Sequence, residues 1–354
     1  HDGHMARPTS QHAVDVAAVD PAHAREGYRE AGDDGVEQVR ANRAGRGRLG
    51  PGGKDRPDVH VAGPAALCRE RLVQRMGGRP DDEVWSRMPR RRNGKVLQSQ
   101  VHAIRAGAPC IYETDDDNAP LPAWAPRTET VAAPRTVAGA GWINAYRYFS
   151  ADRNIWPRGF PLEQLAADPA PASATAASFR APVQQGLVNG SPDVDAVWRL
   201  TQNRPFDFDP AAPLALTAGQ WCPFNTQSTW WWPAAYPLLY VPSHCSFRMC
   251  DIWKSFVAQR CLWALGAGVV FHAPEVVQER NPHDYLRDFH DEVPGYLQNT
   301  RIADILTGLD LAAGEAAVAD NLLACYDALI REKIFPPAEW PLVQAWIKDC
   351  AAPA

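Results

Sequence analysis

Cys110-Ile111-Tyr112-Glu113-Thr114-Asp115-Asp116-Asp117-Asn118 joins a short apolar run to three consecutive carboxylates. The turn residues Gly107-Ala108-Pro109 introduce it, so Cys110 to Glu113 reads as a buried strand with an acidic end. α/β sheets hold ligands in the crevice beyond the carboxyl ends of their strands. Adjacent carboxylates repel one another unless a cation or solvent offsets them. Alternate residues of an extended segment point the same way, which lets Asp115 and Asp117 face one ion while Asp116 faces elsewhere. Hard divalent ions such as Mg²⁺ or Mn²⁺ take oxygen ligands and bridge readily to a diphosphate. The competing reading is a solvated acidic loop; the strand ahead of the cluster argues against it.

Outward from this stretch, short apolar runs alternate with Gly/Pro punctuation, the pattern of an α/β fold. Residues 248–265 predict a helix with Met249, Ile252, Trp253, Phe256, Val257 and Trp263 on a broad apolar face. Gly266 and Gly268 stop it, and Val269-Val270-Phe271 predicts a second buried strand that ends at His272. Residues 165–178 are low in complexity and predict a surface loop. Beyond Pro294 the spacing predicts helices over 295–308, 315–333 and 338–350. The expected organisation is an anomalous region over 1–100, a catalytic region over 101–294 and a helical extension over 295–354 packed on it.

The anomaly is compositional. The chain has 13 Trp, 9 Tyr and 11 Phe, yet residues 1–100 hold only Tyr28 and Trp85 and no Ile or Phe. Arg43-Arg46-Arg48 and Arg90-Arg91-Arg92 cluster there, so the segment has little apolar surface to offset its chain entropy. A disordered basic tail, a basic partner-binding arm and the text of a GC-rich gene read out of frame are the three readings.

Over all 354 residues, 45% are hydrophobic, 22% are charged and the net charge is −5, which excludes a general nucleic-acid footprint. No apolar run reaches the about 18 residues of a membrane span. His1-Asp2-Gly3-His4 reads as a tag remnant before Met5, and no apolar leader core follows, so a cytoplasmic protein is expected. The 8 Cys show no CxxC pair and read as reduced core thiols.

Several other residues admit two readings each. Asp193 and Asp195 form a second Asp-x-Asp that either caps the helix running through Trp198 or binds metal. Asp251 opens the predicted helix as a first-turn acid or cap. Arg147, Arg158 and Arg280 either grip a phosphate or sugar carboxylate bidentately or pair structurally. His283 and His290 either compete for the metal-ligand role or, beside Pro282 and neighbouring acids, lie in an exposed turn. Trp230-Trp231-Trp232 offers faces for sugar stacking, but three adjacent Trp cannot share one face, so at least one packs in the core.

The block Ala103 to Ala108 followed by Ile111-Tyr112-Glu113-Thr114-Asp115-Asp116-Asp117-Asn118 resembles the STELLO family of glycosyltransferase-like proteins. The likeness continues through Asn144-Ala145-Tyr146-Arg147, Ile155-Trp156-Pro157-Arg158-Gly159, Ser191-Pro192-Asp193-Val194-Asp195 and Pro223-Phe224-Asn225-Thr226-Gln227. It ends in Cys250-Asp251-Ile252-Trp253-Lys254 and in Phe271-His272-Ala273-Pro274 with Gln278-Glu279-Arg280-Asn281. It stops near residue 100, where only Gly53-Lys54-Asp55 faintly matches the family's loop ahead of the acidic motif. The UDP-arabinopyranose mutase (reversibly glycosylated polypeptide) group is more distantly similar.

The resemblance implies a GT-A-like nucleotide-sugar transferase fold. It implies transfer of a sugar from a nucleotide-diphosphate donor, a UDP-sugar first, to a hydroxyl acceptor such as a glycan, with Mn²⁺ or Mg²⁺. Asp115, Asp116, Asp117, Asn118, Arg147 and Arg280 would then hold the donor and its metal, with Asp115, Asp117 and a late histidine, His272, as ligands. Asp251 would be the base that takes the acceptor proton. An inactive scaffold of the same fold, binding a glycan or a protein partner, is the alternative. A metal-dependent phosphoesterase also fits an acidic strand end but not the family blocks.

Overall fold

A computed structural model of the chain describes residues 14–18, 93–279 and 283–352. The N-terminal Arg clusters, Gly53-Lys54-Asp55, Arg280 and Asn281 lie outside the described residues.

A mixed sheet forms the centre. Its strands are β1 (Val14–Ala18), β2 (Ile111–Asp115), β12 (Ser228–Trp231), β9 (Val183–Asn189), β13 (Val269–Gln278), β10 (Leu214–Leu216), β5 (Arg135–Val137) and β7 (Ala172–Ala174), in that spatial order. β3 (Asn118–Pro120) pairs with the far end of β13. β12 runs antiparallel to both β2 and β9, and β9 runs parallel to β13. The carboxyl ends of β2, β9 and β13 therefore lie on one edge of the sheet. Four short strands complete the count: β4 (Thr130–Val131) pairs with β8 (Phe179–Arg180), and β6 (Gly141–Trp142) with β11 (Gln220–Trp221).

The expected strand at Cys110 begins one residue later and runs into the acidic cluster. The expected strand at Val269 runs on to Gln278, so His272 lies within it and not at its end. Residues 172–174 of the expected loop add an edge strand against β5. Helix α1 (Asn93–Arg105) crosses residue 100, and β1 pairs with β2, so parts of the anomalous region join the fold.

α2 (Ala196–Thr201) follows β9, and α3 (Cys250–Ala264) precedes β13. α3 is not amphipathic: Cys250 to Gln259 are all buried, including Lys254, Ser255 and Gln259. A helix enclosed on every side needs internal partners for its polar groups. Gln259 Oε1 accepts from Cys222 N at 3.0 Å, and Ser255 Oγ donates to Ile252 O at 2.6 Å.

α4 (Tyr285–Thr307), α5 (Val318–Arg331) and α6 (Trp340–Ala351) form the helical C-terminal segment. α4 starts ten residues ahead of the expected 295 and runs through Pro294. Asp284 caps it by accepting from Arg287 N at 3.1 Å, and that start outweighs the one backbone bond a proline removes. Gly295 follows because a Cβ there would meet Met249 Sδ at 2.2 Å.

The sheet is buried on both faces. Ile111 and Trp231 join the main core with α3, while Tyr112, Trp230, Trp232 and Cys110 form a second cluster on the opposite face. All three adjacent tryptophans are buried, which removes them as sugar-stacking faces. All seven cysteines among the described residues are free. No helix of the described residues is long and apolar enough to cross a membrane.

Candidate active site

Asp115 is the last residue of β2, and Asp117 is the second residue of the two-residue turn that leads into β3. Their carboxylates meet at one atom: Gln278 Nε2 donates to Asp115 Oδ2 at 3.1 Å and to Asp117 Oδ1 at 2.7 Å. Asp116, between them, is exposed. Asn118 fixes the turn, because its Nδ2 donates to Thr114 Oγ1 at 2.9 Å and to Gln227 O at 2.5 Å. Its Oδ1 is buried with no hydrogen-bond partner. Burial, reinforced by the charges of Asp117, Asp193, Asp251 and Asp116, pushes Asp115 up to about 8. Five carboxylates thus converge on the edge where β2, β9 and β13 end.

Arg158 neutralises two of them. Its Nη1 and Nη2 donate to Asp251 Oδ1 and Oδ2 at 2.9 and 2.7 Å, in parallel. Its Nε and Nη2 donate to Asp193 Oδ1 and Oδ2, each at 2.8 Å. Nη1 also reaches the carbonyl of Arg248. Gly159 makes this approach possible: it has φ +87°, and a Cβ there would meet Ile252 Cγ2 of α3 at 2.4 Å. The two aspartates hold the Arg158 guanidinium well above its ordinary range despite burial.

Beneath lies a second buried pair, formed by β2 and α3. Lys254 Nζ contacts Glu113 Oε2 at 3.0 Å, and the two side chains are 1% and 0% exposed. Trp231 Nε1 and Gln100 Nε2 donate to the same carboxylate at 2.7 and 2.8 Å. Burial pushes Glu113 up, and Lys254 opposes that shift. The pair fixes α3 against β2 one helical turn from Asp251 and two strand residues from Asp115, so it sets the distance between those carboxylates.

Other expected residues sit elsewhere. Asp251 does not cap α3; it is the second helical residue and belongs to the Arg158 clamp. Arg248 pairs with Glu292 at 2.6 Å, and Arg260 Nε donates to Leu306 O. Asp195 is a cap, accepting from Trp198 N at 2.8 Å and from Trp156 Nε1 at 2.7 Å, and burial pushes it up to about 7.

His272 is six residues before Gln278 along β13, about 20 Å at the usual strand rise. Its Nε2 donates to Gln184 Oε1 at 2.9 Å, and its Nδ1 accepts from Arg127 Nη1 at 2.6 Å. Burial first and Arg127 second push it well below the ordinary histidine range. With both ring nitrogens engaged far from the carboxylates, His272 is not brought to the cluster. Arg147 donates to the carbonyls of Leu165 and Ala167, each at 2.9 Å, and so fastens the loop over 165–170. His283 pairs with Asp288 and His290 with Asp291.

Two residues were not singled out from the sequence, Gln278 as a carboxylate partner and Lys254. Gln278 ends an apolar strand just as Asp115 does, and a polar residue closing Val276-Val277 was the available signal. Lys254 carried none, because its partner is 141 residues away.

A buried mixed sheet with carboxylates gathered at its strand ends is consistent with a glycosyltransferase-like α/β protein. Residues 248–352 match the family model described as STELLO glycosyltransferases. The chain is 34% identical over 214 residues to the probable glycosyltransferase STELLO2 of Arabidopsis thaliana, covering 58% of this chain and 27% of that protein. It is 28% identical over 221 residues to the probable glycosyltransferase STELLO1 of the same plant, covering 59% and 28%. The matched part spans little more than a quarter of the curated relatives' length. Over the matched part the chain is similar to the STELLO glycosyltransferases.

Proposed function

We propose that this chain has a GT-A-like fold and transfers a sugar from a nucleotide-diphosphate donor, with Mg²⁺ or Mn²⁺, to a hydroxyl acceptor such as a glycan. The observation that carries the reading is the shared contact of Asp115 and Asp117 with Gln278 at the strand-end edge. Among the described residues, no group of three or more His, Cys, Asp and Glu could hold a metal ion. Two carboxylates nonetheless fit Mg²⁺, which is commonly held by one or two carboxylates plus water and substrate phosphates. The partnerless Oδ1 of Asn118 supports the fit.

In this reading Asp115 and Asp117 hold the cation, and Asn118 keeps the turn that presents them. Bound there, the cation would neutralise charge developing on the departing diphosphate. Arg158 orients Asp251 and Asp193 and keeps solvent from between them. Each carboxylate oxygen offers two lone pairs. Arg158 and Ile252 N take both on Asp251 Oδ1, whereas Asp251 Oδ2 receives only Arg158 and keeps one. That lone pair would accept the acceptor hydroxyl's proton.

The test is donor binding by wild type and Asp117→Asn. The variant is expected to lose Mn²⁺-dependent binding of a UDP-sugar while its circular dichroism and melting stay unchanged. Equal donor affinity in the two proteins would refute the assignment.

A further inference from the structure

Cys261 of α3 and Cys325 of α5 bring their Sγ atoms to 3.9 Å across 64 residues of chain. Both residues are 0% exposed, where the two helices pack on one another. Other buried thiols find local partners: Cys110, Cys222 and Cys250 each donate to a backbone carbonyl within three residues of themselves. Cys261 and Cys325 instead face each other. Their sulfurs need to close by about 2 Å to reach the about 2.05 Å of a disulfide, a movement that side-chain rotation supplies.

We infer that Cys261 and Cys325 are a disulfide-forming pair whose redox state is set while the chain folds and is then locked by burial. The co-reactant is a small disulfide such as oxidised glutathione. One cysteine thiolate attacks a sulfur of that disulfide, whose S–S bond breaks as one small thiol leaves. The second cysteine thiolate attacks the protein sulfur of the mixed disulfide and expels the other small thiol. Two protein thiols thus lose two electrons, one small disulfide gains them, and the two protons end on the departing thiols.

Exchange needs a thiolate and a path to it. A solvent-exposed cysteine titrates near about 8.5, so the unfolded chain meets both needs. In the folded chain the Cys325 thiol, then burial, hold Cys261 well above that range. No small disulfide reaches either sulfur while α5 stays on α3. A crosslink there would fasten α5 to the helix that carries Asp251 and Lys254.

The full chain is refolded from denaturant with dithiothreitol or with oxidised glutathione, then peptide-mapped without reduction. Oxidising refolding is expected to give a peptide pair joined through Cys261 and Cys325 and a melting point raised by about 5 °C. Folded reduced protein given the same oxidised glutathione for the same time is expected to keep both thiols. Absence of the Cys261–Cys325 peptide after oxidising refolding would overturn the pairing. Oxidation of the folded protein as fast as of the unfolded chain would overturn the lock. A second measurement needs no refolding: in folded reduced protein the crosslinking rate is expected to rise about tenfold or more as urea approaches the unfolding midpoint. A rate independent of urea would contradict burial as the barrier.

Discussion

Arg158 and Asp251 form a fork-on-fork pair, with two parallel hydrogen bonds of 2.9 and 2.7 Å between loop and helix, although 93 residues separate them in the chain. Asp251 is 8% exposed, so its replacement is not a surface event. Asp251→Asn keeps one acceptor but turns an NH₂ toward Arg158, leaving a buried donor unsatisfied at a cost of about 1–3 kcal/mol. Melting is expected to fall accordingly, with Asp193 preventing collapse. If Asp251 is also the base, transfer falls about 10²–10⁴-fold while donor affinity holds. Transfer that falls only in proportion to the folded fraction would assign Asp251 to the clamp alone.

The pair beneath it makes a separate claim about stability. Lys254→Met leaves Glu113 buried without its cation and is expected to cost about 3–5 kcal/mol in chemical denaturation. Adding Glu113→Leu is expected to recover most of that loss, because an apolar pair no longer carries an uncompensated charge. If the double variant is no more stable than the single, the Glu113–Lys254 pairing is not what holds α3 to β2.

The acidic turn was legible because its signal is local: an apolar run, a turn and alternate carboxylates lie within nine residues. The core of α3 and the existence of three C-terminal helices were legible for the same reason. Pairings between distant segments were not. Nothing near Asp251 points to Arg158, and nothing near Lys254 points to Glu113. Pro294 misplaced the start of α4, since a capping aspartate ten residues earlier governs it. His272 misled because a histidine closing an apolar run looks like a strand-end ligand, whereas the strand continues for six residues and buries it against Gln184 and Arg127.

Metal binding should carry the proton of Asp115. An ordinary aspartate titrates near about 4, and this one is held up to about 8. A raised carboxyl contributes stability that is complete below its unfolded pKa and lost as pH rises through its folded one. Metal-free protein is therefore expected to lose stability from this group between about pH 4 and about pH 8, and Asp115→Asn to remove that part of the slope. A divalent cation needs the ionised form, so Mn²⁺ affinity is expected to rise by up to about tenfold per pH unit and to level off above about pH 8. Calorimetry in buffers of different ionisation heat would record the released proton; a pH-independent affinity without proton release would contradict this linkage.

Isothermal titration of a panel of UDP-sugars into the full chain, with and without Mn²⁺, tests the central claim most directly. Saturable heat is expected for at least one donor with Mn²⁺ present, and its loss when the ion is chelated. Heat for no donor, or the same heat with and without Mn²⁺, would contradict a metal-assisted nucleotide-sugar transferase and favour a scaffold that keeps the fold without the chemistry.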